Sequence, residues 1–115
     1  MKYQHKISSD SINDLPIIVI EGDLTSDADT EVKKIYSELK KKFNKQKILI
    51  NFEKTKYINS SGIATLINII QEINERKGTI AFVGMSEHLR KIMDIVGISD
   101  FVQTFQTNDE AASTI

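Results

Sequence analysis

Apolar residues fall into two rhythms along this chain, short runs or alternations and a recurrence near 3.6, and the two take turns. "IIVIEG" (17–22) is a continuous apolar run and reads as a strand covered on both faces. "KILINF" (47–52) and "TIAFVG" (79–84) read the same way, with Ile48, Ile50 and Phe52 sharing one face. Residues 2–8 alternate instead. Tyr3, His5 and Ile7 fall on one side and Lys2, Gln4 and Lys6 on the other, which predicts a strand with one wet face near an edge. "FVQTF" (101–105) is a weaker last strand. Between the strands lie helical stripes. Val32, Ile35, Leu39 and Phe43 mark 27–43, and Ile63, Leu66, Ile67, Ile70 and Ile73 mark 60–77, with Gly78 as a stop. Leu89, Ile92, Met93 and Val96 mark 86–96, stopped by Gly97, and residues 108–114 predict a short terminal helix.

The order is therefore β-β-α-β-α-β-α-β-α. Strands separated by helices imply right-handed crossovers and parallel pairing. The first two strands are joined by "SDSINDL", long enough for a hairpin, and Pro16 opens the second without loss of a ladder bond. The expected fold is α/β: a mostly parallel five-stranded sheet, its first strand antiparallel at an edge, with about four helices. At 115 residues it fits one domain, 1–115. In such sheets the loops leaving the carboxyl ends of the parallel strands gather on one edge. Here they are "GDLTSDA" (22–28), "EKTKYINSSG" (53–62) and "GMSEH" (84–88), and function is expected along that edge.

Composition removes several alternatives. There is no cysteine, which excludes disulfides, thiolate ligands and a cysteine nucleophile. A formal net charge of −1 sets up no global field towards nucleic acid or an anionic membrane. The basic run "KKKFNKQK" (40–47) suits a solvated helix end, offset by Glu38 and by Asp23, Asp27 and Asp29. The opening "MKYQHKISSD" has no apolar signal core, and no apolar stretch approaches the ~20 residues of a membrane span, so a cytoplasmic protein is expected. His5 and His88 belong to different elements and have no metal-ligand spacing, so neither metal nor cofactor is expected. No Walker loop or Gly-x-Gly-x-x-Gly occurs, and "NSSGI" lacks the leading glycine of a nucleophile elbow. An enzyme is not expected.

The second helix-forming stretch opens on Asn59-Ser60-Ser61-Gly62, more small polar residues than a helix start requires. One N-cap, worth about 1 kcal/mol, consumes Asn59 or a serine. No capping box exists, because the positions three beyond the candidates hold Gly62, Ile63 and Ala64. Gly62 costs up to about 1 kcal/mol against alanine and makes sense where another backbone comes close. A serine left over at a helix start suits phosphoryl acceptance, since the helix dipole favours an anion there.

"YINSSGIATLINII" after the strand "KILINF" resembles the signature of the STAS family, the anti-sigma-factor antagonists. Their hallmark is Asp-Ser-[Ser/Thr]-Gly-[Leu/Ile], opening the helix after the third strand. "VIEGDLTSDADTEVKK" and "GTIAFVGMSEHLRKIMDIVGISDFVQTFQTNDEAAST" resemble the segments on either side of it, so the likeness spans nearly the whole chain. It implies a phosphorylation-switched binding module with Ser60 as the serine modified by the partner. That partner is an anti-sigma factor with serine kinase activity, and a PP2C-type phosphatase resets the switch. Asp23, Thr25, Asn59, Ser60, Ser61, Gly62 and Ile63 then form the docking surface, with no direct nucleic-acid or membrane contact. Asn59 departs from the family's usual Asp, keeping a capping oxygen and losing a charge. That departure favours an alternative, an unphosphorylated scaffold subunit of a larger sensory or transport assembly. On the helix after Ser60, Thr65, Asn68, Gln71 and Glu72 are expected on the wet side. Ile69, off the main stripe, is a modest interface signal.

Overall fold

Ile18, Ile20, Ile48, Ile50, Ile80 and Phe82 point to one side of a sheet, and Ile17, Leu49, Ala81 and Val83 point to the other. This is the period of two in three central strands, each buried on both faces. The computed structural model describes residues 4–42 and 46–115. Its elements are β1 (His5–Ile12), β2 (Leu15–Leu24), α1 (Ser26–Lys42), β3 (Lys47–Asn51), β4 (Thr55–Ile58), α2 (Ser60–Glu75), β5 (Thr79–Val83), α3 (Glu87–Ile95), a 3-10 turn (Ser99–Phe101), β6 (Gln103–Phe105) and α4 (Asn108–Thr114). Strand order is β1-β2-β3-β5-β6, with β4 also paired to β2. β1 is antiparallel to β2 at the edge, and the other pairings are parallel. The expected fold class and its antiparallel edge strand are present. Lys2 and Tyr3 of the predicted first strand, and Phe43 of the predicted helical stripe, lie outside the described residues.

Three local outcomes differ from the sequence reading. β1 and β2 extend through most of "SDSINDL" and close on a two-residue turn, Asn13 and Asp14, with φ of 51° and 65°. Asn and Asp tolerate this left-handed region better than other side chains, and such turns match strand twist. A sixth strand, β4, lies in the segment read as a loop. After Phe52 the chain turns, Thr55 N–H donating to the Phe52 carbonyl at 3.0 Å, and rejoins β2 beyond β3. β4 buries only Ile58, so it carries almost no apolar signal. Lastly, Ile69 is 3% exposed and belongs to the core, which corrects its reading as an interface residue. α2 packs against α1 as well as the sheet, and Ile69 lies one turn beyond Thr65 on the α1 side.

α1, α2 and α3 cover one face of the sheet, while the short α4 covers the other through Ala111. Asn51, buried at the end of β3, donates from Nδ2 to Asn108 Oδ1 at 3.0 Å, and its Oδ1 accepts from Glu53 N–H. It thereby holds the start of α4 to the sheet. No described helix is long and apolar enough to cross a membrane.

Leu66 is fully buried where α2 meets the sheet side of the core. Leu66→Ala is expected to cost about 2–5 kcal/mol in urea unfolding. Ile95→Ala, at a position 84% exposed, is expected to cost well under about 1 kcal/mol in the same assay.

Candidate functional site

The end of β2, β4 and the start of α2 meet at the carboxyl edge of the parallel strands. Asn59 is extended there (φ −111°, ψ −176°), and its Oδ1 accepts from Gly62 N–H at 3.0 Å. Asn59 is therefore the N-cap. Its own N–H donates to the Leu24 carbonyl at 3.3 Å, which ties the helix start to the end of β2.

With the cap supplied by Asn59, Ser60 is free of that task. It is the first residue of α2, it is exposed, and its hydroxyl has no hydrogen-bond partner among the described residues. Ser61 is also exposed, and its carbonyl accepts from Thr65 Oγ1 at 3.1 Å. No acidic side chain occupies the first turn, so the partial positive charge of the helix start is not neutralised within the helix. Ile63 is half-buried against the main core.

Gly62 is buried, and a Cβ added to it would sit 2.2 Å from the Leu24 carbonyl oxygen. The backbone that needs a glycine here is the chain's own. This corrects the expectation of Gly62 as a docking contact. Thr25 is corrected in the same way. It is 2% exposed, its Oγ1 accepts from Asp27 N–H at 3.3 Å, and its carbonyl accepts from Ala28 N–H at 3.0 Å. It starts α1 from beneath the surface. Asp23 stays half-exposed, and its Oδ2 accepts from Gln4 N–H at 2.9 Å while its N–H donates to the Gln4 carbonyl at 2.9 Å. The surface that remains contains Asp23, Asn59, Ser60, Ser61 and part of Ile63.

Sequence reasoning passed over Tyr57. It is 42% exposed on β4, two residues before the cap, in register with Asp23. The only available signal was one aromatic in a segment read as a loop.

Of the residues expected on the wet side of α2, Asn68 and Gln71 are exposed, whereas Thr65 is buried and donates to Asp29 Oδ1 of α1. Glu72 is half-buried, paired with Lys40 and with Arg76 at 3.5 Å. The Thr65 hydroxyl holds the Asp29 carboxyl below the usual carboxylate range. Partial burial opposes this, and Lys33, at 3.0 Å, adds to it. On the neighbouring loop Ser86 caps α3, its Oγ accepting from Leu89 N–H at 3.2 Å, and leaves Glu87 and His88 exposed. His5 Nε2 lies 3.0 Å from Glu31 Oε1. Among the described residues no group of three His, Asp or Glu side chains is placed to hold a metal ion. What the arrangement offers chemically is an accessible hydroxyl on a fixed backbone.

The model of the STAS domain matches residues 6–111 of the chain. No curated protein matches it in sequence. Among solved structures, the Bacillus anti-sigma factor antagonist SpoIIAA in its unphosphorylated form is 19% identical, with 94% of each chain covered and a TM-score of 0.78. Its phosphorylated form gives 19%, 94% of this chain, 97% of that one, and 0.74. The protein TM1081 of Thermotoga maritima, solved by NMR, is 21% identical, covering 99% of this chain and 91% of that one at 0.81. Identities this low establish a shared fold.

Gly62→Ala is expected to destabilise the protein by about 1–3 kcal/mol in urea unfolding, despite alanine's better helix propensity. Asn59→Ala is expected to lose about 1 kcal/mol, and Asn59→Asp to lose none, because a carboxylate still caps. Asp29 has a lowered folded-state pKa, so its contribution is full above the unfolded value near 4 and is lost as pH falls through the folded one. Thr65→Val is expected to raise the Asp29 pKa, read by NMR titration of the side-chain carboxyl, and to shrink that acid-side loss.

Proposed function

The chain belongs to the STAS domain family, and from that premise we propose that it is an anti-sigma factor antagonist switched off by phosphorylation of Ser60. One observation carries the reading: Asn59 supplies the helix cap, so Ser60 presents an exposed hydroxyl with no hydrogen-bond partner among the described residues. The docking surface is Asp23, Asn59, Ser60, Ser61 and Ile63, with Thr25 and Gly62 as supports beneath it. The partner is a cytoplasmic anti-sigma factor with serine kinase activity. Bound to the unmodified domain, it lets go of its sigma factor. It then transfers the γ-phosphoryl group of ATP to Ser60 Oγ, ADP leaves, and the complex separates. A PP2C-type phosphatase removes the phosphate by hydrolysis. ATP and magnesium are handled by the partner, and this domain contributes the acceptor.

A phosphate adds nearly two negative charges and three acceptor oxygens. Set against a contact surface, it costs several kcal/mol in desolvation and repulsion, and each 1.4 kcal/mol is tenfold in affinity. SpoIIAA, whose fold this chain shares, has been solved in both phosphorylation states. That supports a switch acting through surface charge on an unchanged fold. Asn59 favours the second reading, an unphosphorylated scaffold, because a capping amide brings no carboxylate to the acceptor serine.

Incubation with the partner kinase and ATP is expected to add one phosphate by intact mass, absent in Ser60→Ala. No gain in the parent chain decides for the scaffold. Ser60→Asp is expected to keep its circular dichroism spectrum and melting temperature while binding the partner about tenfold or more weakly by calorimetry. Equal affinity would refute the charge mechanism.

A further inference from the structure

Only Ile58 of the four residues of β4 is buried, yet this strand is held firmly along its length. Just before it, Gly22 N–H donates to the Lys54 carbonyl at 2.9 Å; within it, Thr55 Oγ1 donates to the Ile20 carbonyl at 2.7 Å; just after it, Asn59 N–H donates to the Leu24 carbonyl at 3.3 Å. Between these ties stands Tyr57, 42% exposed. Strand formation alone does not call for it, because Val, Ile or Thr favours a strand as well. Ile58 pairs with Leu24, and both side chains enter the main core, so Tyr57 and its register partner Asp23 face the other way.

We propose that Tyr57 anchors the kinase on this domain and sets how tightly the domain is held while Ser60 is modified. The inference rests on the reading of Ser60 as the phosphorylated residue and adds to it a recognition residue outside the helix start. What covers Tyr57 follows from the transfer itself. A kinase that delivers a phosphoryl group to Ser60 Oγ must bring the reacting atoms within about 3 Å of that oxygen. A standard contact covers about 800 Å² on each partner, a patch roughly 30 Å across. Tyr57 precedes Ser60 by three residues, at most about 10 Å of chain, so the strand that carries the ring falls within that footprint. No such constraint acts on Phe101, which is 61% exposed beside the second half of α2.

Tyrosine is among the residues that carry most of the binding energy at protein contacts, through a broad ring, a polar tip and few torsions to immobilise. The pairing of β4 with β2 has already fixed its backbone, which lowers the cost of ordering it on binding. Three residues from the acceptor, the ring contributes to association and not to the chemical step. Loss of such uniform binding raises KM and leaves kcat unchanged.

The probe is the anti-sigma factor kinase purified by its transfer of radiolabelled γ-phosphate from ATP to the full parent chain, the label being absent from Ser60→Ala. With this enzyme, Tyr57→Ala is expected to raise KM for the domain about tenfold or more at unchanged kcat. Tyr57→Thr, which keeps a strand-favouring residue, is expected to do the same, and both variants to keep the parent's circular dichroism spectrum. Tyr57→Phe is expected to hold KM near the parent value, since the ring supplies most of the contact. Phe101→Ala is expected to leave both constants unchanged. Parental KM in Tyr57→Ala and Tyr57→Thr, or a loss confined to kcat, overturns the anchor and leaves the switch standing. If no kinase activity labels the parent chain at Ser60, the switch fails and this inference fails with it.

Discussion

The carbonyl of Leu24 meets two neighbours at once. It accepts from Asn59 N–H, and it occupies the space a side chain on Gly62 would need. That contact seats the first turn of α2 on the end of β2. It is short because β4 runs parallel to β2 up to Ile58, which pairs with Leu24 and leaves one residue before the helix. Were residue 62 larger, α2 would have to shift, and the cap, the serine and the burial of Thr65 would move with it. The glycine that looked like an allowance for another protein is a condition for folding this one. What it leaves free is the residue two places earlier.

The same seat explains how burial is divided along α2. Gly62, Thr65, Leu66, Ile69, Ile70 and Ile73 are buried, a band wider than a single stripe against a sheet. A helix wedged between the sheet and α1 needs that width. Thr65 is the polar member of the band. Its hydroxyl lies between the Asp29 carboxylate and the Ser61 carbonyl, two acceptors for one proton, so a buried oxygen is satisfied and α2 is linked to α1. Tyr36 lies further along the same seam, and burial pushes its hydroxyl up to about 12. The seam therefore stays neutral at that group throughout the physiological range.

Much of this was legible in the order of residues, and the failures share a cause. Apolar runs and stripes at helical spacing locate β2, β3, β5 and the first three helices, because burial on both faces or on one leaves a periodic trace. β4 leaves none, since it pairs through its backbone and buries one side chain. Ile69 was misplaced because a one-stripe reading assumes that the sheet is the only neighbour. Thr25 and Gly62 were assigned to the surface because small polar residues and glycine do not announce burial; the approach of Leu24 and the geometry of the α1 start decide it. The choice between Asn59 and Ser60 as cap was likewise open, both being good caps, and was settled by which oxygen reaches Gly62 N–H.

On the proposed reading, fixing the helix start has a consequence for the sign of the switch. A phosphate on Ser60 would lie at the positive end of α2, and the helix favours it by about 0.3–1 kcal/mol in the free domain. The modified domain is thus not destabilised, and a rigid seat gives the loop no means of swinging the charge away. A docked partner meets the same phosphate with its solvent removed, at a cost of several kcal/mol unless cations answer it. The small term stabilises the free modified state and the large one penalises the complex, so both favour separation. A flexible serine loop would let the phosphate turn back into water and would weaken the second term. The stiffness at Leu24 and Gly62 is therefore what would make a single charge decisive.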